Sequence, residues 1–292
     1  MTGERRASLR ALLESSEGVT AAPGVHDALT GRIVTRAGHR AAYLGGNAMA
    51  LGLGKGQPFI TLSETAQIVA RVAQAIDLPL LVDAGAGFGD PTHLHLAVRE
   101  IEAAGAGGLH IDDQVYPKSV NYHRGRAELV EPELMAARLR ASVAARRDSD
   151  FTIVARTDVL RVTKSLEQVI ERCRSCVAAG ADALMILDLG PDQAGAVRAA
   201  FPQTPLIWIG GVAQHIPSLS ELSAAGFALA CYPFNGIAAI AAHLGDLWAG
   251  LAATGTIDQS DYMLARARKE TLDLADMQRF WDIEDGRAPV EQ

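Results

Sequence analysis

The residues best suited to chemistry gather around one stretch, Gly107–Asn121, which reads GGLHIDDQVYPKSVN. An apolar run ends there in two carboxylates, Asp112 and Asp113, and the polar loop that follows carries Lys118. This is the layout of a buried strand whose C-terminal end opens into a site, the end at which parallel α/β proteins bind ligands. Other apolar runs end alike: Tyr43 before Gly45-Gly46-Asn47, then Asp83, Arg156 with Asp158, Asp188, Gly210-Gly211, and Tyr232 with Asn235. Asp83 and Asp112 supply oxygen ligands suited to a hard divalent cation, directly or through water. Arg156 offers a bidentate grip on a carboxylate, and Gly45 and Gly46 leave backbone N–H groups open to an anion. Plainer roles stand beside these. A strand-end aspartate also caps the next helix, Arg156 also fits an internal ion pair with Asp158 or Asp188, tight turns need glycine anyway, and Lys118 also suits a solvated loop. Their convergence on strand ends favours the functional reading.

These residues share a rim only if the runs before them lie in one sheet. Short apolar runs at Val19–Ala22, Ala41–Leu44, Leu80–Asp83, Gly108–Ile111, Phe151–Arg156, Ala183–Leu187, Leu206–Ile209 and Ala228–Tyr232 alternate with helical patterns. The first helix is expected over Arg5–Glu14 and a long one over Ile237–Thr254. Strands buried on both faces and separated by helices imply a parallel sheet. About eight such units predict an α/β fold closed as a (β/α)8 barrel of the TIM type. The barrel is expected over residues 1–255. Residues 256–292 are expected to form a helical extension, whose Leu264, Leu272, Leu274 and Met277 have no strand partner and suit an oligomer contact.

Composition narrows the class. The 292 residues carry a net charge of -7 and no long basic run, which argues against a nucleic-acid surface. Cys173 and Cys176 form a C-x-x-C inside a helical pattern with no second pair or histidine cluster nearby, so buried helix cysteines are expected rather than a redox or zinc site. The charged amphipathic start lacks a signal-peptide core, and no run is expected to reach the ~18 apolar residues of a membrane span. A cytoplasmic protein is the expectation.

Over roughly residues 8–255 the chain resembles the isocitrate lyase/phosphoenolpyruvate mutase superfamily, which includes methylisocitrate lyase, phosphonopyruvate hydrolase and oxaloacetate decarboxylase. The resemblance rests on PGVHDALTGRI (Pro23–Ile33), YLGGN (Tyr43–Asn47), VDAGAGFG (Val82–Gly89), HIDDQVYPK (His110–Lys118), IVARTD (Ile153–Asp158) and AAGADAL (Ala178–Leu184). It implies a (β/α)8 barrel, commonly tetrameric, with a C-terminal helix often swapped between subunits. It also implies Mg²⁺ holding a 2-oxo acid or its enolate while a C–C or P–C bond is made or broken. By the resemblance Asp83 and Asp112 bind metal, Arg156 binds the substrate carboxylate, and Tyr43, Gly45, Gly46 and Asn47 cradle it. Lys118 opens a gating loop.

The departures shape the expected reaction. Asp83-Ala84-Gly85 lacks the second carboxylate of the family's D-x-D, and Gly52-Leu53-Gly54-Lys55 replaces another acidic turn and brings Lys55 towards the site. Val120 stands where the lyases have a catalytic cysteine, and Leu187 where a glutamate ends the sixth strand. Proton transfer then falls to Lys118, Tyr122 or His123 on the loop, or to His215, which is also a candidate substrate contact. The expected function is a Mg²⁺-dependent carbon–carbon lyase or decarboxylase for a small 2-oxo or 2-hydroxy acid, in a dimer or tetramer. The alternatives are a metal-independent enzyme of the same superfamily and a non-catalytic carboxylate-binding barrel.

Overall fold

A computed structural model describes residues 8–15, 17–211, 213 and 215–287. In chain order the elements are α1 (Leu9–Glu14), β1 (Thr20–Val25), α2 (Ala28–Arg36), β2 (Ala42–Leu44), α3 (Gly46–Gly52), α4 (Leu62–Ala75), β3 (Leu80–Asp83), α5 (Pro91–Ala103) and β4 (Gly108–Asp112). A 3₁₀ turn (Val120–Arg124) then leads to α6 (Pro132–Ala145), β5 (Thr152–Thr157), α7 (Val159–Thr163), α8 (Leu166–Ala178), β6 (Ala183–Ile186), α9 (Pro191–Ala200), β7 (Leu206–Ile209), α10 (Leu219–Ala224) and β8 (Phe227–Tyr232). Three helices end the chain: α11 (Asn235–Thr254), α12 (Asp261–Leu274) and α13 (Met277–Glu284).

The eight strands form one closed parallel barrel in sequence order, sealed where β1 pairs with β8 from Thr20↔Leu229 to Pro23↔Tyr232. The expected (β/α)8 fold is therefore the observed one. Strand alternation sorts the apolar residues into two cores. Leu109, Ile111, Ile153 and Leu184 face outward into the layer beneath the helices. Tyr43, Leu81, Val154, Met185, Ile207 and Leu229 face inward, and Leu9, Leu12 and Leu13 of α1 join them as a plug under the barrel. The first strand runs on through Pro23, Gly24 and Val25, past its expected end at Ala22. Residues 5–7 of the expected first helix lie outside the described residues.

The compact unit that holds the barrel strands ends at Ile237, and Ala238 begins a second unit. That second unit takes in most of α11 together with α12 and α13. None of the described residues of these three helices is buried. On α11, Ile240, Leu244 and Trp248 recur at helical spacing and are 36%, 45% and 53% exposed. By length and composition alone α11 is also long and apolar enough to cross a membrane, which corrects the expectation that no run approaches that size. Its apolar character comes from alanine, leucine and isoleucine, with Asp246 as its one acidic residue.

Candidate functional site

The strand ends converge as expected. Inward-facing positions at the C-terminal end of β2 to β5 carry Tyr43, Asp83, His110 with Asp112, and Arg156, all nearly sealed from water. Above them a cavity of about 340 Å³ is lined by Tyr43, Gly45, Gly46, Asn47, Asp83 and Arg156, with Tyr122 and His123 arriving from the loop. Its other side is formed by Leu187, Ile209, Gly210, Pro233 and Phe234, with Arg161 and Asp188 also at its edge.

Asp83 caps a helix, though not the next one in its own βα unit. Its Oδ2 accepts the Gly46 N–H of α3 at 3.1 Å and its Oδ1 accepts the Gly85 N–H at 2.8 Å. A Cβ on Gly46 would stand 2.5 Å from Gln57 Nε2 and 3.1 Å from Asp83 Oδ2, so only glycine lets α3 start there. Burial opposes ionisation of Asp83, but His110, the Lys118 and Arg156 charges and the Gly85 N–H outweigh it and hold the carboxyl well below its ordinary range.

Arg156 realises both of its sequence readings at once. Its Nε and Nη2 hold Asp158 at 2.9 and 3.3 Å, and Nη2 also donates to Tyr122 Oη at 3.0 Å. Gln114 Nε2 donates to the same Asp158 at 2.7 Å. Among the described residues Nη1 of Arg156 has no partner, so this cavity-lining guanidinium keeps one nitrogen unused.

Lys118 is not solvated. Its ammonium pairs with Asp112 Oδ2, both side chains being buried, and lies 5.0 Å from the Tyr122 ring centroid. Burial disfavours the charged lysine, yet Asp112 and Asp83 raise its pKa above the ordinary value. It sits behind Asp83 in a smaller recess rather than on the main cavity. His123 donates through Nε2 to the Gln57 carbonyl at 2.7 Å, which leaves Nδ1 as its open nitrogen.

His110 is the residue the sequence reading missed. It follows from alternation, since it precedes Asp112 by two positions and must share its face. Its ring stacks on Tyr43 at 5.8 Å, and Nε2 meets Tyr43 Oη at 2.8 Å. Burial lowers its pKa to about 4, so the imidazole is neutral at pH 7. Nδ1 is buried without a partner. A bare buried acceptor is tolerated more readily than a bare N–H, which puts the proton on Nε2, donating to Tyr43 Oη. The Tyr43 hydroxyl proton is then free for the cavity, and burial raises the phenol's pKa well above its usual value.

Several candidates lie elsewhere. His215 does not reach the cavity: its side chain is 79% exposed and faces Glu221 of α10 at 3.8 Å, because the loop after β7 carries it outward. Lys55 pairs with Glu64, the N3 residue of the Thr61 capping box on α4. Asp113 points out of the barrel to Thr157 Oγ1, the Asp158 N–H and Arg172. Cys173 and Cys176 are buried helix residues, as expected.

The Mg²⁺ expected on Asp83 and Asp112 does not fit this donor set. Asp112 is neutralised by Lys118 and does not line the cavity, which leaves Asp83 as the carboxylate deep in the cavity. The Lys118 and Arg156 charges already balance it, so a dication there would meet two cations across a buried space. Among the described residues no cluster of three or more His, Cys, Asp or Glu side chains could hold a metal.

The chain is thus a closed parallel (β/α)8 barrel whose C-terminal mouth holds a half-free arginine beside a buried tyrosine hydroxyl. The chain belongs to the phosphoenolpyruvate phosphomutase family, whose model matches residues 9–249. It is 33% identical over 250 residues to 2,3-dimethylmalate lyase of Eubacterium barkeri, spanning 84% of this chain and 85% of that protein. It is 39% identical over 184 residues to oxaloacetate decarboxylase of Rhodopseudomonas palustris, spanning 62% of each. Its fold superposes with a TM-score of 0.87 on oxaloacetate acetylhydrolase bound to the inhibitor 3,3-difluorooxalacetate, at 26% identity over 96% of both chains.

Proposed function

We propose that this protein is a carbon–carbon lyase or decarboxylase for a small 2-oxo or 2-hydroxy carboxylic acid, working through an enolate-type intermediate without a resident metal. The observation that carries the reading is the unused Nη1 edge of Arg156 in a closed barrel mouth, the natural seat of a carboxylate. Asn47 and Ala48, in the first turn of α3 and on the cavity, add N–H groups that have no partner within the helix.

The 2-oxo oxygen then lies towards the Tyr43 hydroxyl. A preorganised donor in a site shut from water stabilises the charge that develops there as the enolate forms. His123 Nδ1 and Tyr122 Oη, on the loop over the cavity, transfer the protons. Asp83 fixes the start of α3, and the Lys118–Asp112 pair fastens the base of the loop. The exposed stripe of α11, with Phe280 and Trp281 of α13 at 55% and 41% exposure, supports a homo-oligomer, dimer or tetramer, in which a second copy covers these helices through the expected swap.

Exchange of the pyruvate methyl protons in D₂O, followed by NMR on EDTA-treated protein, tests the reading. Exchange that persists in EDTA is the expected result. Exchange that needs added Mg²⁺ overturns the metal-free mechanism. Binding of pyruvate with no exchange under either condition leaves a carboxylate-binding barrel instead.

A further inference from the structure

Two arginines line the cavity, and their bonding runs in parallel. Arg156 gives Nε and Nη2 to Asp158, and Arg161 gives Nε and Nη2 to Asp188, at 2.8 and 2.6 Å. In each guanidinium Nη1 has no partner among the described residues. Arg156 ends β5 and Arg161 lies in α7 directly after it, so one short stretch of chain delivers both to the same space.

The two pairs differ in how firmly they are closed. The Arg156 and Asp158 side chains are 4% and 0% exposed, those of Arg161 and Asp188 31% and 38%. A pair as open as the second adds little to stability. Asp188 nevertheless holds a left-handed backbone, with φ at 67°, a conformation that is uncommon outside glycine and persists where the surroundings fix it. They do so here. The Leu187 N–H donates to the Thr157 carbonyl at 3.0 Å, the Leu189 N–H to the Ile186 carbonyl at 3.3 Å, and both leucines are buried. Strain that returns little stability is the pattern of a side chain placed for a ligand. The Arg161 bonds keep the Asp188 carboxyl below its usual range against burial, and the Lys164 and Arg156 charges add to the effect. Three cations thus crowd one rim of a protein whose net charge is -7.

We infer that Arg161 is a second carboxylate seat, that the substrate is a diacid reaching from Arg156 to Arg161, and that Asp188 shares the far guanidinium and sets how tightly diacids bind. The inference rests on the carboxylate seat of the reading above and deepens it. The far carboxylate accepts from Nη1 of Arg161 while Asp188 keeps Nε and Nη2. Leu187 and Ile209, on the same cavity, meet the hydrocarbon between the two ends. Without a ligand, Asp188 holds the guanidinium at the rim. With one bound, two carboxylates share one cation, and their repulsion limits the affinity. Asp188 is therefore a positioning residue that acts through Arg161.

Isothermal titration with succinate and butyrate tests the assignment. These four-carbon acids differ only in the second carboxylate and carry no 2-oxo or 2-hydroxyl group to react. The wild type should bind succinate at least about tenfold more tightly, the worth of one charge-assisted hydrogen bond. Arg161→Gln should bring the two affinities within about twofold of each other. Asp188→Asn should widen their ratio about threefold, because the repulsion goes and Arg161 stays. A purely structural Asp188 would move both affinities together or neither. Equal affinities in the wild type, or a ratio that Arg161→Gln leaves intact, overturn the inference. If that variant does not fold, a ratio that Asp188→Asn fails to widen overturns it. Succinate preference without pyruvate exchange in D₂O brings down the enolate reading and supports this seat, and exchange without succinate preference does the reverse.

Discussion

Replacing Lys118 with methionine leaves a carboxylate stranded. The Lys118 and Asp112 side chains are 5% and 0% exposed, so neither charge has water to turn to. Asp112 otherwise accepts the Gln114 N–H at a long 3.3 Å, too weak a contact to hold an isolated charge. Removing one partner of a buried pair costs about 3–5 kcal/mol. For a folded unit of this size each kcal/mol lowers Tm by about 2–4 °C, so Lys118→Met should melt roughly 6–20 °C below the parent. Losing the ammonium near the Tyr122 ring adds about 1 kcal/mol at most. Scanning calorimetry at pH 7.5 measures the drop. The double variant Lys118→Met/Asp112→Asn removes both charges and should regain most of it, since the main cost is the unpaired carboxylate rather than the lost bridge. A loss under about 1 kcal/mol, or a double variant no more stable than the single one, would refute the reasoning, because the lysine would then be solvated.

Three further outcomes follow from the site. Tyr43→Phe removes the proposed oxyanion donor and should lower kcat about 10²-fold with little change in KM, measured on the exchange of pyruvate methyl protons in D₂O. His215→Ala should change kcat/KM by less than about twofold, because the ring is outside the cavity and solvated. Stability between pH 4 and 6 carries two opposed contributions. Burial raises Asp113 to about 6, so the folded chain holds a proton the unfolded chain has released, and stability falls as pH rises. Burial lowers His110 to about 4, so the unfolded chain holds the extra proton and stability rises with pH. Asp113→Asn deletes the first contribution, and its urea-unfolding free energy should climb more steeply across that window than the parent's. Equal slopes would refute the assignment.

The barrel was legible because each strand is a short apolar run stopped by a rim residue, a pattern that depends on local sequence alone. The grouping of Tyr43, Asp83 and Arg156 followed from it. The two short helices α3 and α7 did not, because α3 begins where Asp83 of another βα unit accepts the Gly46 N–H, a contact formed only on folding. The partner of Lys118 was hidden for a similar reason. Five residues separate it from Asp112, and no spacing rule says that such a loop turns back onto its own strand end. Lys55 and His215 mark the opposite case, residues brought near the rim by chain order and then taken away by a capping glutamate and an outward loop. Arg156 shows why alternatives belong side by side: it is an internal ion pair on one edge and an open ligand on the other.

The plug formed by α1 gives the order of assembly a direction. Leu9, Leu12 and Leu13 leave a ribosome before any strand of the barrel, yet they fit only under a barrel sealed by β8, more than two hundred residues later. A Cβ on Gly108 would stand 2.9 Å from Leu9, so the stopper sits tightly in place. Until β8 arrives, the stopper has no socket and β1 keeps a bare edge, the kind of edge that recruits other chains. A nascent chain stalled after β7 would therefore expose both liabilities together. Appending a bulky solubility partner ahead of α1 would shield the leucines but leave the open strand.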